Sequence, residues 1–263
     1  MTTILVTGGT GTLGRAVVDR LLAAGHDVRT LSRRPHPGTG RPRLHAYAVD
    51  LRDGSGLAPA VAGVETVVHC ASAPTGDTEA AGRLVEAALT AGVRHLVYIS
   101  IVGVDRIPLG YYRAKHEVER LIEDSGLGWT VLRTTQFHDL LLRLVKAGAR
   151  LPVMPVPTGV RFQPVDVREV AGRLVELASA EPAGRVADLG GPETRTARDL
   201  VRDTLRAGGR RRLLVPLWVP GGVGAALRRG ENLAPEHADG TISYGDFLAE
   251  RTGGSGRGGR AGG

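Results

Sequence analysis

The sequence predicts an α/β fold built on a doubly wound parallel sheet, and three observations carry that prediction. Apolar or β-branched runs recur along the first half of the chain, each followed by a pattern at helical spacing, as expected for parallel strands with crossover helices. The first run, Ile4-Leu5-Val6-Thr7, enters the cluster Gly8-Gly9-Thr10-Gly11-Thr12-Leu13-Gly14, and an apolar periodicity (Leu13, Val17, Val18, Leu21, Leu22) leaves it. Later runs such as Thr66-Val67-Val68-His69 are almost continuously apolar, which suits strands covered on both faces.

The glycine cluster reads as strand, tight turn, helix. Such a turn needs backbone conformations open mainly to glycine, and Gly11, lacking a Cβ, would let a pyrophosphate approach the chain. The first amides of the helix would point at the phosphates, with the positive end of its dipole behind them. Gly14 would allow close helix–strand packing.

Asp27 to Arg34 reads as the second strand, and its end bears on cofactor choice. An acid there would bind the 2′-hydroxyl of NAD, whereas arginine pairs with the 2′-phosphate of NADP. Ser32, Arg33 and Arg34 stand at that place, so NADP is favoured over NAD. Pro35 to Pro42 should be irregular, and Leu44 to Asp50 forms a third strand. Asp50, followed by Leu51, would accept from the adenine amino group or cap the next helix. Cys70, Ala71 and Ser72 close the Thr66 strand with small residues that suit a passing cofactor. Cys70 reads as a packing residue because no base is visible beside it.

A helix from about Thr78 to Ala91 leads to a fifth strand, His95 to Ser100, then to a helix opening at Tyr111 and a sixth strand, Trp129 to Arg133. Tyr111 and Lys115 are four apart and share a helical face. A phenol is a poor acid at neutral pH, and a nearby ammonium would bring it toward the working range. Tyr111 could then protonate a carbonyl oxygen while Lys115 holds the nicotinamide ribose. Thr134, Thr135 and Gln136 would line the nicotinamide pocket or satisfy backbone at a strand end; His138 and Asp139 are weaker catalytic candidates. Beyond them come Phe162 to Val167, an amphipathic helix to about Ala178, a short strand at Arg185 to Leu189, a helix from Thr196 to Ala207, and an extended edge piece from Leu213 to Val219.

The 263 residues are 42% hydrophobic and read as a single domain over 1–252. About 1–150 would be the cofactor-binding core and 151–252 a small irregular substrate-covering part, with 253–263 a disordered Gly/Arg tail. One cysteine excludes a disulfide framework and suits a reducing cytoplasm. The absence of a signal-peptide pattern or membrane span points the same way. The net charge of +7 raises the question of nucleic acid, but only Lys115 and Lys146 of the 34 basic residues are lysine. The charges are scattered and aromatics are 4%, so no nucleic-acid platform is expected. A small-molecule substrate is the expected partner, with no membrane partner and the oligomeric state open.

The GGTGTLG turn, Ser32-Arg33-Arg34, Val49-Asp50-Leu51-Arg52-Asp53, YYRAK followed by Glu119 and Arg120, and the segment Phe162 to Ala171 together resemble the atypical short-chain dehydrogenase/reductases, in particular the NmrA-like branch. The resemblance spans about Thr3 to Gly191. It implies a Rossmann fold, a nicotinamide cofactor and a Tyr111–Lys115 pair working with Ser100 on the fifth strand. Two features depart from the family: Ile101 and Val102 follow Ser100 where a polar residue is common, and Thr134 replaces a common proline after Arg133. The expected activity is NADPH-dependent reduction of a small carbonyl, quinone or imine-like substrate. The alternatives are a redox-sensing regulator and a non-redox cyclase, isomerase or epimerase.

Overall fold

The computed structural model describes residues 2–32, 40–72 and 76–253. In chain order the elements are β1 (Thr3–Thr7), α1 (Thr12–Ala23), β2 (Asp27–Ser32), β3 (Leu44–Ala48), α2 (Leu57–Val61), β4 (Thr66–His69), α3 (Asp77–Thr90), β5 (His95–Ile101), α4 (Gly110–Glu123) and β6 (Gly128–Thr134). There follow α5 (His138–Gly148), β7 (Val153–Pro157), β8 (Arg161–Phe162), α6 (Val167–Ala178), β9 (Gly184–Arg185), β10 (Arg195–Thr196), α7 (Ala197–Ala207), β11 (Leu213–Leu217), α8 (Gly221–Arg229), a 3-10 turn (Pro235–His237) and α9 (Tyr244–Gly253).

Two compact units emerge. The first draws on Met1–Asp105, Leu109–Arg133 and Val167–Ala187, the second on Arg106–Pro108, Thr134–Asp166 and Asp188–Gly263. They interleave along the chain, since α6 and β9 belong to the first although they follow residue 151.

The first unit is organised by a sheet of seven strands among the described residues, in the order β3-β2-β1-β4-β5-β6-β9. Its first six strands follow the doubly wound dinucleotide-binding order, with the direction of winding reversing between β1 and β4. Helices α1 and α6 pack together on one face, and α2, α3 and α4 cover the other. This two-sided cover explains why Ile4, Leu5, Val6, Val67, Val68, Leu96 and Val97 are all fully buried. The segment read from the sequence as a strand over Arg185 to Leu189 is shorter, Gly184–Arg185, and it is held by a side chain. Thr130 Oγ1 accepts the Ala183 amide at 3.0 Å and shares a hydrogen bond with His95 Nε2 at 2.8 Å.

The second unit is more regular than the sequence indicated. Helices α5, α7 and α9 pack through Leu141, Leu142, Leu200, Tyr244, Phe247 and Leu248. A two-stranded parallel ribbon, β7 with β11, closes a neighbouring cluster through Met154 and Val156. Helix α7 starts at Thr196, whose hydroxyl accepts the Asp199 amide at 3.1 Å. His138 Nε2 donates to the Ile242 carbonyl at 3.0 Å, its ring packs on Tyr244 and Phe247, and Asp139 pairs with Arg251 at 2.7 Å. Both weaker catalytic candidates therefore do structural work in this unit.

Candidate active site at the carboxyl ends of the first sheet

The turn after β1 is shaped by what its glycines exclude. Gly8 has φ +66°, a conformation that disfavours any side chain, and a Cβ there would lie 2.9 Å from the Ala71 backbone. A Cβ on Gly9 would meet Thr30 Cγ2 at 2.7 Å, and one on Gly14 would run into the Gly8 carbonyl oxygen. Gly11 differs. Its backbone, φ −75° and ψ 175°, is open to any residue, and its Cβ position meets only the Gly8 oxygen, at 3.1 Å. Among the described residues no other atom lies within 4 Å of that Cβ position, and α1 begins there with no side-chain cap on its first amides. A Cβ-free approach, an uncapped helix N-terminus and a topological switch point between β1 and β4 fit the pyrophosphate of a dinucleotide.

Around this turn the other expected cofactor residues fall as follows. Thr10 and Thr12 are exposed on the turn and Leu13 is buried beneath it. Ser32 ends β2, while Arg33 and Arg34 lie outside the described residues. Asp50 neither caps a helix nor stands free, because Oδ1 accepts the Arg52 amide at 3.0 Å within a local turn; Leu51 packs on the core. Burial pushes the Cys70 thiol up to about 12, so it stays protonated and acts as packing. Thr134 and Thr135 belong to the second unit, where Thr134 bridges to Leu189 and the Thr135 hydroxyl donates to the Gln163 carbonyl.

Where β1 meets β4, Thr7 Oγ1 accepts the Ala71 amide at 3.1 Å and shares a hydrogen bond with His69 Nδ1 at 2.6 Å. His69 stacks on Tyr98 with centroids 5.3 Å apart. Burial, and then the Lys115 ammonium, hold His69 down at about 3 from an ordinary 6.5. The ring is neutral in the native protein, whereas in the unfolded chain it takes a proton below about 6.5. Stability from this group is therefore complete above that value and declines as pH falls toward about 3, at about 1.4 kcal/mol per pH unit. His95 shifts in the same direction by burial. Urea unfolding at pH 7.5, 6 and 5 should show the decline, and His69→Gln should flatten it. An unchanged slope in that variant would assign the acid sensitivity to other groups.

Helix α4 carries Tyr111 and Lys115. Tyr111 sits in its first turn, 39% exposed, with Oη 2.9 Å from Ser72 Oγ. Ser72 donates to Asp77 Oδ2 at 3.0 Å, so the phenol proton is the one shared with Ser72. Burial raises the Tyr111 pKa, the Ser72 hydrogen bond opposes the rise and Asp77 adds to it. This corrects the expectation that Lys115 would draw the phenol down. Lys115 is 3% exposed, with Nζ donating to the Ile99 carbonyl at 3.5 Å and lying 4.7 Å from the Tyr98 ring centre. Burial lowers its pKa, while Asp77, Cys70 and Glu119 pull it back up. Ser100 is buried and its Oγ has no hydrogen-bond partner among the described residues. The serine that touches Tyr111 is thus Ser72, after β4, and not the fifth-strand serine.

Behind this group lies an ion pair the sequence reading did not assign. Arg133 on β6 donates to both Glu119 oxygens, at 2.9 and 2.6 Å, and to Asp105 at 3.0 Å. Burial alone would depress the guanidinium, but the carboxylate hydrogen bonds and charges outweigh it and hold the cation. Two signals were present: Glu119 follows Lys115 at helical spacing, and an arginine inside an apolar strand needs a buried partner. Among the described residues no group of three His, Cys, Asp or Glu could hold a metal ion, and no helix is long and apolar enough to cross a membrane.

Comparison with known proteins agrees with this geometry. The model of the NAD(P)H-binding family matches residues 8–152, more than half of the chain. The chain is 35% identical over 216 residues to a (4-alkanoyl-5-oxo-2,5-dihydrofuran-3-yl)methyl phosphate reductase of Streptomyces griseus, covering 79% of this chain and 74% of that protein. It is 26% identical over 217 residues to quinone oxidoreductase 2 of Escherichia coli, covering 79% and 75%. Its fold is similar to the crystal structure of an NADPH-dependent quinone oxidoreductase from Escherichia coli complexed with NADPH, with TM-score 0.79 and 20% identity over 94% of this chain and 99% of that one. The glycine turn, the strand order and these matches together show that the chain belongs to the NAD(P)H-binding family of Rossmann-fold oxidoreductases, with the short-chain dehydrogenase/reductases as its structural neighbours.

Proposed function

We propose that the protein is an NADPH-dependent reductase of a small carbonyl, quinone or imine-like substrate, with Tyr111 as proton donor. The observation that carries the reading is the Tyr111–Ser72–Asp77 line, a half-exposed phenol whose proton is held ready and whose pKa is raised. A donor must be protonated at working pH, and this one is. The relatives' names, a phosphate ester reductase and a quinone oxidoreductase, support reduction. Arg33 and Arg34 support NADPH over NADH through their suitability for a 2′-phosphate.

The bound cofactor supplies the hydride. Gly8 to Gly14 would hold its pyrophosphate, and Lys115, a buried ammonium one turn beyond Tyr111, would hold its ribose. When Tyr111 gives its proton to a substrate oxygen, the Ser72 hydroxyl can turn from Asp77 to the phenolate, so the charge left behind meets a donor. A cytoplasmic location suits the single protonated thiol.

Single-turnover oxidation of bound NADPH against a panel of carbonyls and quinones tests the assignment. Tyr111→Phe should keep NADPH affinity and slow oxidation about 100-fold, the usual scale for a lost proton donor. The wild-type rate should stay level through neutral pH and fall only above the ordinary phenol value of 10.0, because the shift is upward. A Tyr111→Phe rate equal to wild type would exclude the phenol as acid. Absence of turnover in every variant would favour a sensing role.

A further inference from the structure

The β7–β11 ribbon of the second unit has apolar side chains on both faces. Parallel register pairs Val153 with Leu213, Pro155 with Val215 and Pro157 with Leu217 on one face, and Met154 with Leu214 on the other. Met154 and Val156 are buried in the unit's core, but the first face lies in water: Leu213 is 69% exposed and Leu217 46%. Trp218, next along, is 62% exposed. Side chains of this kind gathered on one short ribbon mark an interaction surface.

We propose that this face seats on an anionic bilayer surface. Charge complementarity points there: residues 148–158 and 208–220, which contain both strands, carry Arg150, Arg210, Arg211 and Arg212 and no Asp or Glu. Because the strands run in parallel register, all four arginines lie at one end of the apolar face, and Arg212 Nε ties the two approaches together by donating to the Ala149 carbonyl at 3.1 Å. At the other end, the Arg228 guanidinium lies 3.8 Å from the centre of the Trp218 ring. Leucine and valine at the headgroup boundary, a tryptophan at its edge and arginines against lipid phosphate are the chemistry of an interfacial contact.

A second copy of the chain fits less well. The Thr158 amide donates to the Leu217 carbonyl, so odd positions of β7 and even positions of β11 face the outer edges of the ribbon. Pro155, Pro157 and Pro216 stand at those positions and have no N–H to offer an added strand.

Co-sedimentation of the full chain with phosphatidylcholine vesicles, and with vesicles of phosphatidylcholine and phosphatidylglycerol at about 3:1, tests the proposal, with sedimentation velocity run in parallel. The expected result is a monomer that binds only the anionic vesicles and is released by high salt. Arg210→Ser with Arg211→Ser should weaken binding about thirtyfold. Leu213→Ser with Leu217→Ser, which alters only exposed positions, should abolish binding at unchanged charge. Three results would each overturn the proposal: no binding to anionic vesicles, binding untouched by the leucine changes, or a dimer that the leucine changes dissociate.

Discussion

Arg133→Met is expected to destabilise the protein by about 3–5 kcal/mol, the scale of removing one partner from a buried ion pair. Glu119 is 1% exposed, and each of its oxygens accepts a hydrogen bond from Arg133, at 2.9 and 2.6 Å. Without the guanidinium its buried charge would lose both of these hydrogen bonds and its direct counter-ion. The double change Arg133→Met with Glu119→Leu should recover most of the loss, because an apolar pair of similar volume replaces a buried ion pair at little cost. Urea unfolding of wild type, single and double variants gives the answer. A single variant that loses less than about 1 kcal/mol would mean that the pair behaves like a surface contact.

Gly11→Val should lower NADPH affinity about a thousandfold while far-ultraviolet circular dichroism stays native. The backbone at Gly11 is extended, with φ −75°, so valine adds no torsional strain, and the one close atom is the Gly8 oxygen at 3.1 Å. The branched side chain would occupy the space through which the helix amides reach an anion. Loss of two charge-assisted bonds of about 1.5–3 kcal/mol each accounts for that scale. Gly14→Ala is the contrasting control. Its Cβ runs into the Gly8 carbonyl, so the turn itself must shift and thermal stability should drop. Unchanged NADPH affinity in Gly11→Val, read by fluorescence quenching, would place the pyrophosphate elsewhere.

What the sequence made legible follows from the range of the forces involved. Strands β1, β4, β5 and β6 and helices α1, α3 and α4 were readable because a sheet covered on both faces imposes continuous apolar runs, and its helices impose one apolar stripe; β3, largely exposed at the sheet edge, was readable from alternation. The glycine turn was readable because its steric demands are local. The contact of Tyr111 with Ser72 was not, since the two are 39 residues apart and meet only because β4 and β5 are neighbours. Helix α8 escaped notice because its first residues, Gly221, Gly222 and Gly224, are poor helix formers; a Cβ on Gly224 would strike the Val219 carbonyl, so close packing holds that glycine there. Strand β7 was hidden by Pro155 and Pro157, which read as loop and serve as edge residues.

The position of β1 at the centre of the first sheet sets a timetable for the newborn chain. β1 leaves the ribosome before the other strands of this sheet, and β2 can cover one of its edges soon afterwards. The other edge waits for β4, whose His69 pairs with Thr7 across 62 residues. At a synthesis rate of roughly 5–20 residues per second that wait lasts about 3–12 s. During that interval Ile4, Leu5 and Val6 present an open, greasy backbone edge to water or to a holding chaperone. Pairings this distant also slow spontaneous refolding, so overproduction at low temperature with chaperone support should raise the soluble yield.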